Sequence, residues 1–462
     1  MAYTVNQSTT GVHGVADPLV YVVKDTTNTG ELNYRYVCVV KIGGVELIRL
    51  KQLPNNKNAA VFNIQDIAKN YVYQDDNPYG LGATGLDGTF DTSEIFAVNG
   101  DAFKTFTIQF GYEYSATAAD SPATTMEAVD QTVYCVNGTF VAATDATAFS
   151  SPATNYKLTS DSKQFLSDIE PPMGQTEFKT SILYAGGSSQ RATLAFLNGD
   201  DAGSTGSGFV HVSYYNGASA LNTGYFTNEA ATGGAAPGAG LSDGASLIYV
   251  GVGTYNLVSQ AINSLLDPAD AGNAGWTHYY VQMSSSTSLA DATSEPYKFE
   301  RVSCGKYITE EQVFSLHWWN SKGGVDNLPM LGKVRETQNI TKQDYRTSGG
   351  NGLNADGATL DYVRQSWEGG KRATRVQTTT TFELTTIGGD TDVLTPMIRS
   401  LVNSERVFLS GKSLFGENDA RAESGVVQAY ITDTSMEYLS GLNDQAVSYT
   451  LKVEVSRRRA NP

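Results

Sequence analysis

The chain has 462 residues, 46 of them Gly and 13 Pro, and its 48 acidic side chains outnumber 32 basic ones for a net charge of −16. A hydrophobic content of 40% is enough to build real cores, so wholesale disorder is excluded, and the length suits about two to four domains. The acidic balance excludes a broad grip on nucleic acid, because every phosphate contact needs a cation.

Met1 to Asn6 show neither the basic nor the apolar region of a signal peptide. No apolar run reaches the ~18 residues of a membrane helix. The sequence therefore reads as a soluble protein made in the cytoplasm, and the sequons at Asn6, Asn137 and Asn339 carry no weight. Strand signals begin at once. Leu19 to Lys24 and Tyr34 to Ile42 alternate in apolarity, Gly43 and Gly44 form a hairpin turn, and Val45 to Leu50 returns. Gln65 to Tyr71 suits a short helix with Ile67 and Tyr71 on one side. Residues 1–140 thus read as an N-terminal β domain. Residues 141–175, rich in Ala, Ser, Thr and Pro, read as a connector with little core.

A middle block, 176–300, offers strands at Ser181–Tyr184, Ala192–Leu197, Phe209–Tyr215 and Leu247–Val252. Gly/Ala stretches interrupt it, most plainly at 230–240, which reads as a long loop. The last block, 301–462, has a strand at Val313 to Trp319. It has another from Arg375 to Thr385, where Val376, Phe382 and Leu384 share a face with Thr378 and Thr380. Residues 390–404 predict a helix with an apolar stripe of Val393, Leu394, Met397, Ile398, Leu401 and Val402. Ala446 to Ser456 predicts one long strand with Val447, Tyr449, Leu451, Val453 and Val455 facing one way. The expected class is mainly β: a multi-domain β-sandwich with one or two helices packed on the C-terminal sheet.

Chemistry-bearing patterns are sparse. Cys38, Cys135 and Cys304 are far apart and read as small buried apolar side chains. His13, His211, His278 and His317 have no metal-ligand spacing. Glu310-Glu311 beside Trp318-Trp319 is a weak sugar-site pattern. Asp75-Asp76-Asn77 with Asp87-Gly88 and Asp91, and the turn Gly199-Asp200-Asp201, read as solvated acidic turns. No cofactor or metal site is expected and no catalytic residue is assigned. Asn320, Gly323 and Gly324 read as the left-handed positions of a tight turn, with Asp326 tying that turn to its own backbone. Arg457-Arg458-Arg459 is a compact basic cluster that suits a contact with the acidic face of another copy.

Two regions carry a family resemblance. The first is Ala16-Asp17-Pro18-Leu19-Val20-Tyr21-Val22-Val23, with Tyr34 to Val40, Ile48-Arg49-Leu50-Lys51 and Val61-Phe62-Asn63-Ile64. The second runs from Cys304 through Trp319-Asn320-Ser321-Lys322-Gly323-Gly324-Val325-Asp326 to Ile340 and Tyr345. It continues into Leu401-Val402-Asn403-Ser404 and Val407-Phe408-Leu409, and ends at Ile431-Thr432-Asp433-Thr434-Ser435. Together they resemble large virion structural proteins of tailed bacteriophages, especially phages of marine bacteria and of Bacteroidetes. Those often carry Leu before the Asn of the turn and Arg after it, where this chain has Trp319 and Ser321.

The resemblance implies two end domains flanking a variable middle, and a non-enzymatic structural part of a virion: tail, baseplate or head–tail junction. Such a protein assembles in the host cytoplasm as a symmetric homo-oligomer, with other copies of itself and other virion proteins as partners. It has no membrane and no sequence-specific nucleic acid to bind, and its acidity suits passive DNA passage. Contacts between copies are expected at Arg457, Arg458 and Arg459 and in the 230–240 loop. The alternative is a receptor- or glycan-binding adhesin of the phage tail or a cell surface. It would stack a host-surface glycan on Tyr214, Tyr215, Tyr225, Phe226, Trp276, Tyr279 and Tyr280. A glycan hydrolase or lyase is the third reading.

Overall fold

A computed structural model describes residues 3–73, 96–99, 101–140, 155–158, 160, 162–169, 180–184, 190–198, 207–228, 247–258, 264–302, 314–347, 370–386, 389–410, 426–432 and 446–455. The chain is mainly β, in several sheets, with three α-helices among the described residues, two of them short.

Near the N-terminus, the strands Tyr3–Gln7, Val20–Asp25 and Ala59–Asn63 form a three-stranded antiparallel sheet. It packs on a five-stranded sheet ordered Gly11–Gly14, Ala123–Val136, Phe103–Ser115, Leu32–Ile42, Val45–Gln52. The sandwich core is made by period-2 alternation from both sheets: Tyr21 and Val23 from one, and Tyr36, Cys38, Val40, Ile108 and Phe110 from the other. Tyr21 and Phe110 meet across it at 5.5 Å between centroids. Gly43 (φ 55°) and Gly44 (φ 81°) close the Leu32–Ile42 to Val45–Gln52 hairpin, a two-residue turn that needs both φ angles positive. The first helix is Gln65–Lys69. It buries Ala68, with Ile67 packed against the core, while Tyr71 lies beyond its end and is exposed.

The middle of the chain splits between two sheets. A four-stranded sheet is ordered Lys157–Leu158, Thr193–Asn198, Leu247–Gly251, Phe96–Asn99. Its two central strands, Thr193–Asn198 and Leu247–Gly251, are buried on both faces. Leu194, Phe196, Ile248 and Val250 enter one core, while Ala195, Leu197, Leu247 and Tyr249 enter another. That double burial explains why these strands read as near-continuous apolar runs. A five-stranded sheet ordered Thr180–Tyr184, Tyr297–Val302, His278–Ser284, Phe209–Asn216, Ser219–Thr227 lies on one side. A seven-stranded sheet contributes to the same large core. Its order is Val325–Met330, Phe314–Trp319, Val407–Ser410, Val426–Ile431, Thr450–Val455, Gly370–Thr385, Val334–Thr347.

The C-terminal helix, Thr391–Asn403, packs Leu394, Met397, Ile398 and Leu401 into that core, at the spacing the sequence predicts, with Val402 partly buried against it.

Several expectations need correction. Within 141–175, where the sequence suggests little core, the described residues Leu158, Phe165, Leu166 and Ile169 are buried. The Ala446 to Ser456 strand breaks at Ser448-Tyr449. Ala446–Val447 pairs with Gly389–Asp390, and Thr450–Val455 joins the seven-stranded sheet. Tyr449 is drawn aside because its backbone N–H donates to Thr386 Oγ1 (2.9 Å) and its hydroxyl bonds Thr395 Oγ1 on the helix (2.8 Å). The sheets also cross the sequence blocks. Phe96–Asn99 pairs with Leu247–Gly251, and one core runs from Leu158 to Val455.

Candidate functional site

The segment Asn320 to Asp326 lies where three parts of the chain meet. It joins Phe314–Trp319 to Val325–Met330 in the seven-stranded sheet. Gly323 alone of Asn320, Gly323 and Gly324 is left-handed, with φ +81°. Asn320 works through its side chain instead. Its Oδ1 accepts from the backbone N–H of Lys322 (3.0 Å) and Gly324 (2.9 Å), and its Nδ2 donates to Leu166 O (2.9 Å) and Asp326 Oδ2 (3.0 Å). Two acceptor and two donor bonds saturate the amide, which is why Asn is suited to this buried place. The glycines are required by proximity. A Cβ on Gly323 would lie 1.9 Å from Asn137 O, and one on Gly324 1.9 Å from Leu166 O. Thr139 N donates to Ser321 O (2.8 Å) and Tyr249 OH to Gly323 O (3.1 Å), so the N-terminal sandwich and the four-stranded sheet both dock on this turn.

Asp326 does not tie the turn to its own backbone, as the sequence suggests. It accepts from Ser167 Oγ (2.6 Å), Asp168 N (2.9 Å) and Asn320 Nδ2, clamping the 165–169 segment to the sheet. Burial, then repulsion from Asp168, pushes its carboxyl up to about 6, against those three hydrogen bonds. Asp168 is the ionised member. Burial opposes its charge, but Lys322 at 3.2 Å, Ser321 N and Oγ (2.8 and 2.6 Å) and Ser400 Oγ (2.7 Å) outweigh burial and hold it below its ordinary value. Burial also lowers Lys322, yet Tyr156 and Asp168 more than compensate, so its ammonium is held above its ordinary value. It also donates to Ser167 O (3.0 Å).

A cleft of about 660 Å³ opens beside this cluster, between the turn and the C-terminal half of the long helix, with Asn137, Arg399, Asn403 and Glu405 on its walls. Its chemistry is that of a joint. The hydroxyls of Ser321 and Ser400 donate to Asp168, whose charge Lys322 balances at 3.2 Å. Among the described residues no three His, Cys, Asp or Glu side chains gather to hold a metal ion. Cys38 and Cys135 are buried, and burial pushes the Cys38 thiol up to about 12 and Cys135 higher, away from reactive thiolates.

A second feature is an arm. Val334–Thr347 and Gly370–Thr385 pair antiparallel over their whole length, but Thr450–Val455 supports only Thr380–Thr385. Among the described residues, the part from Asn339↔Thr379 to Thr347↔Gly370 is a two-stranded ribbon about 26 Å long at ~3.3 Å per residue. Residues 335–345 are all exposed, Ile340 at 56% and Tyr345 at 45%. The ion pairs Arg335–Glu383 at its root (3.9 Å) and Lys371–Asp344 along it (2.9 Å) are solvent-exposed and contribute little.

Other sequence-selected residues fall as follows. Arg457, Arg458 and Arg459, the 230–240 loop, Asp75 to Asp91, Gly199 to Asp201, Cys304 and Glu310-Glu311 lie outside the described residues. Trp318 and Trp319 are buried, Trp318 donating Nε1–H to Ser400 Oγ (2.9 Å). The aromatic set of the middle block divides. Tyr214, Phe226, Trp276 and Tyr279 are core, while Tyr215, Tyr225 and Tyr280 lie on the opposite face of their sheet. Asp168, Lys322 and Ser400 had no signal in the sequence, because residues 154 and 232 positions apart meet only in the fold.

No family model and no curated protein matches the chain. Solved structures with some likeness include trypsin-activated alpha-2-macroglobulin from Escherichia coli, at 8% identity and a TM-score of 0.20, over 83% of this chain and 22% of that one. The native conformation of the same E. coli protein gives 9% identity and a TM-score of 0.18, over 83% of this chain and 21% of that one. The chain thus spans about a fifth of their length, and a likeness of that degree carries no argument. No helix among the described residues is long and apolar enough to cross a membrane.

Proposed function

We propose that the chain is a structural component of a tailed-phage virion, in the tail, baseplate or head–tail junction, and that it works without catalysis as a symmetric homo-oligomer assembled in the host cytoplasm. The observation that carries this reading is the arm. A two-stranded ribbon in water is at best marginally stable, and a long exposed edge strand is a template for pairing with another chain. An arm built this way gains its stability on a neighbour, and in a closed ring every copy both gives and receives such a contact. The saturated joint at Asn320–Asp326 supports the same reading: it fixes the arm's sheet against the rest of the molecule, as a load-transmitting subunit requires. The surplus of acids suits a lumen through which DNA slides without sticking.

Light scattering and electron microscopy of the purified full chain test this, beside a variant in which residues 339–379 are replaced by a two-residue Asn-Gly turn. The full chain is expected to form closed oligomers. The shortened one is expected to remain monomeric and still to unfold cooperatively. Monomers at every concentration, or absence of the protein from purified particles, would refute the reading.

A further inference from the structure

The five-stranded sheet of the middle block buries one face and opens the other to a groove. Along Phe209–Asn216, Val210, Val212 and Tyr214 point into the large core, and Ser213 and Tyr215 occupy the opposite face. Along His278–Ser284, Tyr279, Val281 and Met283 are core, and His278, Tyr280 and Gln282 face outward. The register sets Tyr215 opposite His278 and Ser213 opposite Tyr280. The Tyr215 and His278 rings stack with centroids 5.3 Å apart and planes 8° apart, and Tyr280 meets them edge-on at 5.3 and 5.2 Å. A solvent-facing sheet face ordinarily carries polar side chains, so three clustered half-buried rings are a departure.

With the exposed hairpin turn at Gly217 and Ala218, and with Leu289 and Pro296, the rings line a groove of about 370 Å³. That is within the range of roughly 300–1,000 Å³ typical of small-ligand sites. Polar groups are held in place among the rings. Gln282 Nε2 donates to Ser294 O (2.9 Å), Ser213 Oγ accepts from Thr223 Oγ1 (3.0 Å), and His278 Nδ1 bonds Thr277 Oγ1 (3.1 Å). Burial, and then Lys298, lower the His278 imidazole against the opposing pull of Glu300, so it is neutral near pH 7, able to donate and accept. Lys298, opposite Tyr280, pairs with Glu300 at 3.5 Å.

The groove therefore combines aromatic surface, fixed hydrogen-bonding groups and balanced charge. A nucleic acid or polyanion needs unpaired cations, and an extended peptide seeks a sheet edge, not a sheet face. We propose that the groove binds a neutral saccharide, with the C–H face of a sugar ring against the Tyr215–His278–Tyr280 cluster and its hydroxyls on Gln282, Ser213 and His278. This inference stands apart from the assembly role, since it uses neither the arm nor the joint.

Saturation-transfer NMR and calorimetry on the full chain test it, with maltohexaose, cellohexaose and chitohexaose as probes and a hyaluronan hexasaccharide as the charged comparison. At least one neutral chain is expected to receive transfer at its ring protons. Tyr280→Ala and Ala218→Arg are each expected to weaken binding about tenfold or more, and Tyr73→Ala, at an exposed tyrosine outside the groove, to leave it unchanged. Ala218 is exposed at a hairpin tip, so that variant decides the matter even if Tyr280→Ala fails to fold. No transfer to any neutral chain, binding of hyaluronan alone, or an affinity unmoved by Ala218→Arg would overturn the proposal.

Discussion

Asp326 is a carboxylate in a place that disfavours its charge. The folded chain holds its proton up to about 6, whereas an ordinary aspartate releases it near 3.8. The fold therefore binds this proton more tightly than the unfolded chain does, and its contribution to stability is lost as pH rises through that window, by an amount on the order of 3 kcal/mol. Other groups titrate nearby with the opposite sign. His317, fully buried and lowered to about 3, costs stability as pH falls below 6.5. The clean measurement is thus the difference between wild type and Asp326→Asn. The amide keeps an oxygen for the N–H groups of Asp168 and Asn320, offers an N–H to Ser167 Oγ, and has no proton to lose. Urea unfolding across a pH series is expected to show the variant gaining on wild type from pH 4 to 7.5. A constant difference would refute the account. The ionised partner behaves differently. Asp168→Ala strips Lys322 of its counter-charge in a buried place, and about 3–5 kcal/mol of stability is expected to be lost. Most of that loss is expected to return in the double variant with Lys322→Met. If the double variant is no more stable than Asp168→Ala alone, the pair is not the unit it is taken to be.

At the level of elements, strands and the long helix were legible because their signals are local. Alternation in Leu32–Ile42 and Phe209–Asn216, and the stripe Leu394, Met397, Ile398 and Leu401, can be read within a dozen residues. Partners were not legible. Nothing near Phe96–Asn99 points to Leu247–Gly251, and nothing near Ser167 points to Asp326. The turn at Asn320 to Gly324 was visible as a turn, yet its glycines are demanded by Asn137 and Leu166, which only the fold brings near. The arm was half visible, since the alternation of Phe382 and Leu384 belongs to its supported root, and its exposed part has no core pattern to read. That division gives a prediction. Ile340→Ser with Tyr345→Ser is expected to change unfolding free energy by no more than about 0.5 kcal/mol, because both side chains are exposed. The same variant is expected to weaken self-association at least tenfold in sedimentation velocity. Unchanged association would remove the arm from the interface.

Across the whole molecule, the sheets do not divide where composition does. Phe96–Asn99 completes a sheet whose other strands come from beyond residue 156. One core gathers Phe196, Tyr279, Trp318, Phe382 and Val453, and another joins Val12, Phe103 and Val136 to Tyr249, Trp319 and Phe408. A fragment cut at 176–300 would keep its five-stranded sheet over Leu194, Phe196, Ile248 and Val250, but it would lose the partners that cover Ala195, Leu197, Leu247 and Tyr249 on the other face, and the Phe96–Asn99 strand with them. Residues 176–300 expressed alone are accordingly expected to stay unfolded or aggregate, while the N-terminal sandwich, with its own core of Tyr21, Tyr36, Cys38 and Phe110, has the means to fold by itself. Denaturant unfolding of the full chain is then expected in at most two steps. One belongs to the sandwich, and the other is a single cooperative step for the middle and C-terminal sheets, followed by hydrogen exchange in Thr193–Asn198 and in Phe314–Trp319. Exchange that separates those two strands by more than about 2 kcal/mol would mean that their shared core does not couple them.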